Sequence, residues 1–275
     1  MACLVLDLHD MVAVFGRGTV IVGLLAFAIG SSTAALAQPA PPLPISPAPP
    51  QPQAQTDFWF GRPRGSIGVR TGWLFSRAGS DLFDFVAKTL TVDKSDFSAP
   101  PIAAEVGIQI GPRTEVLVGF EFAQSSKTSE YRHFVDNNRL PINQTTQFRQ
   151  MNLTGGLKFA LAAPGREISR LAWIPRAMVP YVGAGAGFVW YRFEQNGDFI
   201  DFKDSSVFSD FLGTRGWGPS AHVFGGVDIN VWRRMYVVVD ARYLWSHSDV
   251  GGDFVAFQPI DLAGARLTAG VKYAF

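Results

Sequence analysis

Ten charged residues sit at alternating positions in otherwise apolar segments: Arg70, Glu105, Glu115, Glu121, Lys158, Asp228, Asp240, Arg242, Arg266 and Lys272. Five are cationic and five anionic. Gathered on one face, they could neutralise one another or line a polar passage. Residues equipped for covalent chemistry are scarce by comparison. Ser246-His247-Ser248 sets a base between two hydroxyls, but neighbours along a strand point to opposite faces, so His247 cannot activate either serine. No Gly-x-Ser-x-Gly elbow is present. The expectation is a protein that is not an enzyme, with a lipid-modifying barrel enzyme as a remote alternative. Asp198, Asp201, Asp204 and Asp210 crowd one stretch, but their spacing is not that of a calcium loop and reads as solvated charge. Phe193, Phe199, Phe202, Phe208 and Phe211 share that stretch. Exposed aromatics either pack together or mark a binding surface, which raises a host or matrix ligand as a partner. No metal or cofactor is expected.

The segments that carry the ten charges read as strands. They span about ten residues each, with period-2 alternation, at 67–75, 104–110, 115–122, 150–159, 181–190, 222–231, 236–245 and 260–275. The connections after the first, third, fifth and seventh are long. Those after the second and sixth are about three residues, and the fourth is followed by a longer stretch at 162–178. On the last strand, Phe275, Tyr273, Val271, Ala269 and Leu267 share one face, while Lys272, Thr268 and Arg266 share the other. Arg266 and Lys272 are expected to be neutralised by acids such as Asp240 or Glu105.

Composition narrows the class. The chain has 275 residues and is 47% hydrophobic, 13% aromatic and 17% charged, against a usual charged share of about 25%. The formal net charge of +1 gives no reason to expect nucleic-acid binding. The apolar run at 19–30, with Arg17 before it and the small-x-small pattern at Ala35 and Ala37 after it, reads as an export signal cleaved before Gln38. Asp7 and Asp10 have the wrong sign for the leading region of such a signal, which raises Met11 beside Met1 as the start of translation. The only cysteine, Cys3, precedes the expected cleavage point, so the processed chain would have no thiol. The division is therefore residues 1–37 as signal peptide, 38–56 as a Pro-rich disordered linker, and 57–275 as one all-β domain.

The apolar face carries aromatics at the strand ends. Trp73, Phe75, Phe120, Phe122, Phe188, Trp190, Tyr243 and Trp245 lie near the ends leading into long connections, and Phe159, Tyr273 and Phe275 near the opposite ends. Two aromatic girdles around an apolar band are expected of a lipid-exposed wall. A soluble eight-stranded barrel would instead turn its apolar face inward. The predicted fold is an eight-stranded antiparallel up-and-down transmembrane β-barrel. Its interior is either a packed polar core or a narrow, gated porin-like channel.

With these strands, the leading segments, the Gly-rich run at 180–187 and the terminal Tyr273-Ala274-Phe275, the chain resembles the small outer-membrane β-barrel family, which includes the OmpA transmembrane domain, OmpX and the opacity-type surface proteins. The resemblance implies location in the outer membrane of a Gram-negative bacterium, in contact with outer-membrane lipid and lipopolysaccharide. It also implies that Phe275 and the alternate apolar residues before it are read by the barrel-assembly machinery. Its implication for activity is broad: envelope integrity or surface interaction through the long outer loops.

Overall fold

The computed structural model describes residues 59–136, 139–169, 172–201 and 206–275. The expected signal peptide and linker, with Ala35, Ala37 and Gln38, lie outside them. Eight long strands form a ring: β1 (Gly65–Ser76), β2 (Pro101–Gln109), β3 (Thr114–Val135), β4 (Pro141–Ala160), β5 (Met178–Ile200), β6 (Val207–Trp232), β7 (Met235–Ser248) and β8 (Gly264–Ala274). Each pairs antiparallel with the next, and β8 pairs with β1 from Gly264↔Ser76 to Ala274↔Ser66. The seam continues past β8, where the Arg64 and Gly65 amides donate to the Phe275 carbonyl at 2.7 and 3.0 Å. Gly65 is required there, because a Cβ would meet the Phe275 ring at 2.7 Å. The barrel closes on itself and leaves no raw edge over the span that all eight strands share.

Alternation determines what each face meets. Outward side chains include Ile67, Val69, Ile108, Val118, Leu153, Leu157, Val182, Val223, Leu267 and Val271, all largely exposed. A soluble monomer rarely exposes an apolar patch above about 300–600 Å². An apolar band running around the whole ring is stable only against lipid. The barrel is therefore transmembrane.

Four strands are much longer than a membrane requires. β3, β4, β5 and β6 have 22, 20, 23 and 26 residues, where about 9–11 suffice to cross. The stretches expected as loops at 125–144 and 194–215 are mostly strand, paired without a break out to Glu130↔Asn143, again at Val135↔Pro141, and out to Ile200↔Val207. The other four strands have 9 to 14 residues. One half of the barrel thus rises as a four-stranded wall above the other.

The remaining connections are also structured. The stretch at 78–99 reads as polar in sequence but contains helix α1 (Asp81–Thr89), which buries Leu82, Phe83 and Val86, and a 3-10 turn, Lys94–Phe97, which buries Phe97. The long connection after β4 is a hairpin, Gly165–Ser169 with Ala172–Pro175, and Trp59–Phe60 adds a third strand to it. The eighth segment begins later than its sequence pattern suggests. Ile260–Asp261 pairs with the outer end of β7, and the run along β1 starts at Gly264. At the short β6–β7 turn, Arg233 takes a left-handed φ of 33°, and the Asn230 side-chain amide donates to its carbonyl at 2.9 Å.

Candidate functional site

The ten charged residues all point into the barrel and form three groups, each neutral in itself. Nearest the end with the short β2–β3 and β6–β7 turns, Lys158 and Lys272 converge on Asp228, at 2.7 Å for Lys158, and Lys158 lies 4.0 Å from Glu115. The Ser66 hydroxyl donates to Glu115 at 2.5 Å. In the middle, Arg70 contacts Glu105 at 2.8 Å and Asp240 at 3.5 Å, while Arg242 contacts the same two acids at 3.4 and 3.5 Å. Above them, Arg266 bonds Glu121 at 2.6 Å, and Asn152 donates to the same carboxylate at 2.8 Å. Arg266 and Lys272 are neutralised by acids other than the expected Asp240 and Glu105, which Arg70 and Arg242 occupy. Arg266 binds Glu121 and Lys272 binds Asp228, both from strands that are not adjacent to β8.

Tyr181 joins the first two groups. Its hydroxyl donates to Asp240 at 2.9 Å, and its ring lies 3.7 Å from the Lys158 ammonium. Sequence reading placed Tyr181 in the Gly-rich strand and gave it no role. Its parity with Gly183, Gly185 and Gly187 is the signal that it faces inward. Those glycines are small for a reason: at Gly183 a Cβ would lie 2.2 Å from the Phe224 ring.

Both ends of the lumen are occupied. At the end with the long connections, Phe148, Val189, Tyr191, Phe193 and Leu244 from the barrel pack with Leu82, Phe83, Val86, Phe97, Phe254 and Leu262 from the connections. The rings meet edge to face, Phe83 with Phe148 at 5.4 Å and Phe193 with Phe254 at 5.5 Å. At the opposite end, Trp173 of the hairpin is buried against Tyr236 and Ala274. A cavity of about 50 Å³ remains beside Lys158, Asp228 and Lys272, room for a few waters.

Outside the barrel, Trp73, Phe75, Phe120, Phe188 and Trp245 are exposed, and Phe122, Trp190 and Tyr243 half-buried, all on the outward parity. Phe159 lies at the other rim, as do Tyr273 and Phe275, whose rings stack at 6.4 Å. Leu267, Ala269 and Val271 complete the outward face of β8.

The remaining sequence candidates disperse. Ser246 is buried in the lumen, whereas His247 is exposed on the outside, 3.7 Å from Asp261. Asp198 accepts from the Ser209 hydroxyl at 2.5 Å. Among the described residues no three potential metal ligands come together, and Asp204 and Phe202 lie outside those residues. The aromatics of that stretch do not form one exposed patch. Phe193 is in the apolar cap and Phe199 is buried against Phe208 at 6.0 Å, while Phe208 and Phe211 are exposed.

No family model matches the chain, and no curated protein matches it. Among solved structures, the chain is similar to Neisserial surface protein A at 13% identity, covering 77% of this chain and 96% of that one, with a TM-score of 0.44. It is similar to Ail, the attachment invasion locus protein of Yersinia pestis, at 16% identity over 77% of this chain and 99% of that one, with a TM-score of 0.38. It is also similar to the N-terminal β-barrel domain of Pseudomonas aeruginosa OprF at 13% identity over 78% and 100%, with a TM-score of 0.31. At these scores none of them bears on what the chain does. Its own ring of eight strands, apolar outside and charged inside, has the fold of the small outer-membrane β-barrels that the sequence resembles.

Proposed function

We propose that this chain is an integral outer-membrane protein of a Gram-negative cell, exported through its leading segment, that works at the cell surface without catalysis. The observation that carries the reading is the four-stranded wall of β3 to β6, which continues well beyond the aromatic girdle and is backed by an apolar core. A lumen filled by neutral charge groups and covered at both ends favours a rigid support over a conduit. The outer hairpin of β5 and β6 then presents Phe208 and Phe211 to a host or matrix ligand. Lipopolysaccharide surrounds the barrel, and the assembly machinery reads Phe275 and the alternate residues before it.

The test trims the hairpin from Asn196 to Phe211, a registered pair, so that both exposed rings are removed from the full chain. Cells carrying wild-type or trimmed protein are compared for adhesion to immobilised matrix proteins, with boiling-dependent gel migration as the check on folding. Adhesion lost while the compact band persists supports surface binding. Equal adhesion overturns it and leaves envelope integrity as the role.

A further inference from the structure

Just outside the girdle, one wall of the barrel carries a row of arginines. Arg149 on β4 is in register with Arg192 on β5, and Arg192 with Arg215 on β6. All three lie on the outward parity, two residues beyond Met151, Trp190 and Trp217, which form the adjoining row. Directly opposed residues on neighbouring strands have Cβ atoms about 4.5–5.5 Å apart, and like charges so placed repel. A row of three guanidinium groups therefore calls for anions.

The chain itself supplies few. Glu194 pairs with Arg192 at 2.5 Å, and Asp253 accepts from the Gly213 amide at 2.9 Å. Among the described residues, neither Arg149 nor Arg215 has a carboxylate within ion-pair distance. Arg149 reaches the Gln147 side chain at 3.3 Å, and its buried Nε has no partner. A cavity of about 360 Å³ opens beside Arg192 and Arg215, with Glu194 and Asp253 also in its lining, so Arg149 is the member of the row that stands away from both acids. The opposite wall contrasts with this: Arg77 and the His247 ring both lie close to Asp261, at 3.6 and 3.7 Å.

We infer that Arg149, Arg192 and Arg215 form a binding site for the phosphate groups of a lipid headgroup in the outer leaflet. The tryptophans below them sit at the depth where headgroups begin. The arginine row, about 7 Å further along the strands, meets the phosphates. The planar fork of arginine matches a phosphate with two parallel hydrogen bonds. Acyl chains would lie along Leu153, Phe188 and Val223 beneath. The inference rests on the membrane reading of the barrel.

The test uses the full chain in neutral detergent. It is titrated with bisphosphorylated lipid A, with the same lipid stripped of its phosphates, and with inorganic phosphate. Wild type is expected to bind the phosphorylated lipid about a hundredfold more tightly than R149Q/R192Q/R215Q, about tenfold for each of the two uncompensated arginines. The stripped lipid should bind wild type as weakly as it binds the variant, and R77Q should match wild type. Unchanged affinity in the triple variant overturns the site. Competition by inorganic phosphate at equal strength overturns the lipid as its source. If the triple variant lacks the compact band on gels, R215Q is read in its place. Failure of the membrane reading is separate and shows as a chain that stays monodisperse without detergent.

Discussion

Along β4 and β5 the two faces exchange character partway up. Within the membrane, β4 sends Phe159, Leu157 and Leu153 outward and Lys158, Thr154 and Asn152 inward. Above Met151 the outward residues become Arg149, Gln147, Thr145 and Asn143, and the inward row brings in Phe148 and Ile142 among the uncharged Gln150, Thr146 and Gln144. β5 does the same, from Val182 and Phe188 outside to Arg192 and Asn196, with Val189, Tyr191 and Phe193 inside. The backbone and its pairing do not change across this boundary. What changes is the solvent on the outer face, lipid below and water above. The lower half is therefore an inverted protein held by charges, and the upper half an ordinary one held by apolar packing. The interface between them lies at the Met151–Trp190–Trp217 row.

The largest effect that would break this contrast is in the charged half. Asp228→Leu leaves Lys158 and Lys272 without the carboxylate they share. Removing one partner from a buried ionic group costs about 3–5 kcal/mol. Denaturant unfolding in detergent should show that loss, and a change below about 1 kcal/mol would mean that the group is not a structural unit. In the apolar half, Phe83→Ala should cost about 3–5 kcal/mol. That loss should appear as faster proteolysis of the outer wall while the membrane strands stay protected, and uniform cleavage of both would show that the halves are one unit. The boundary itself is sharpened by arginine scanning. Leu153→Arg, facing lipid, should destabilise by about 2–4 kcal/mol. The equivalent Asn143→Arg, higher on the same face and opposite Glu130, should stay within about 0.5 kcal/mol. Equal costs would remove the boundary. The smallest expected signal is electrical: refolded wild type should show no steady conductance in planar bilayers. Conductance that shifts with Arg242→Gln would restore the channel.

The inversion also explains what was legible in the sequence. The membrane parts of all eight strands were readable, because lipid on one side and a filled lumen on the other give strict period-2 alternation. Sequence reading began β4 at Gln150 and ended β5 at Trp190, ten or so residues short in each case, because the pattern reverses there and an alternation template stops matching. The inward charges were legible by parity, but their pairing was not. Which acid faces Arg266 depends on the shear of the closed ring, and nothing local to β8 encodes it. Helix α1 was missed although Leu82, Phe83 and Val86 have helical spacing, because the flanking polar residues made the whole stretch look solvated. The arginine row was invisible for a related reason: Arg149, Arg192 and Arg215 become neighbours only through register.

The seam at Gly65 and Phe275 sets an order of events. These residues stand at the two ends of the barrel strands, so the hydrogen bonds between them close the longest loop in the ring, and such contacts form late. Until Phe275 arrives, β1 is a strand with a bare edge, able to pair with any other strand it meets. A chain interrupted anywhere before β8 is therefore an open sheet with two reactive margins. Its fate is decided by how quickly that gap is shielded, and the stability of the finished ring has no say in it.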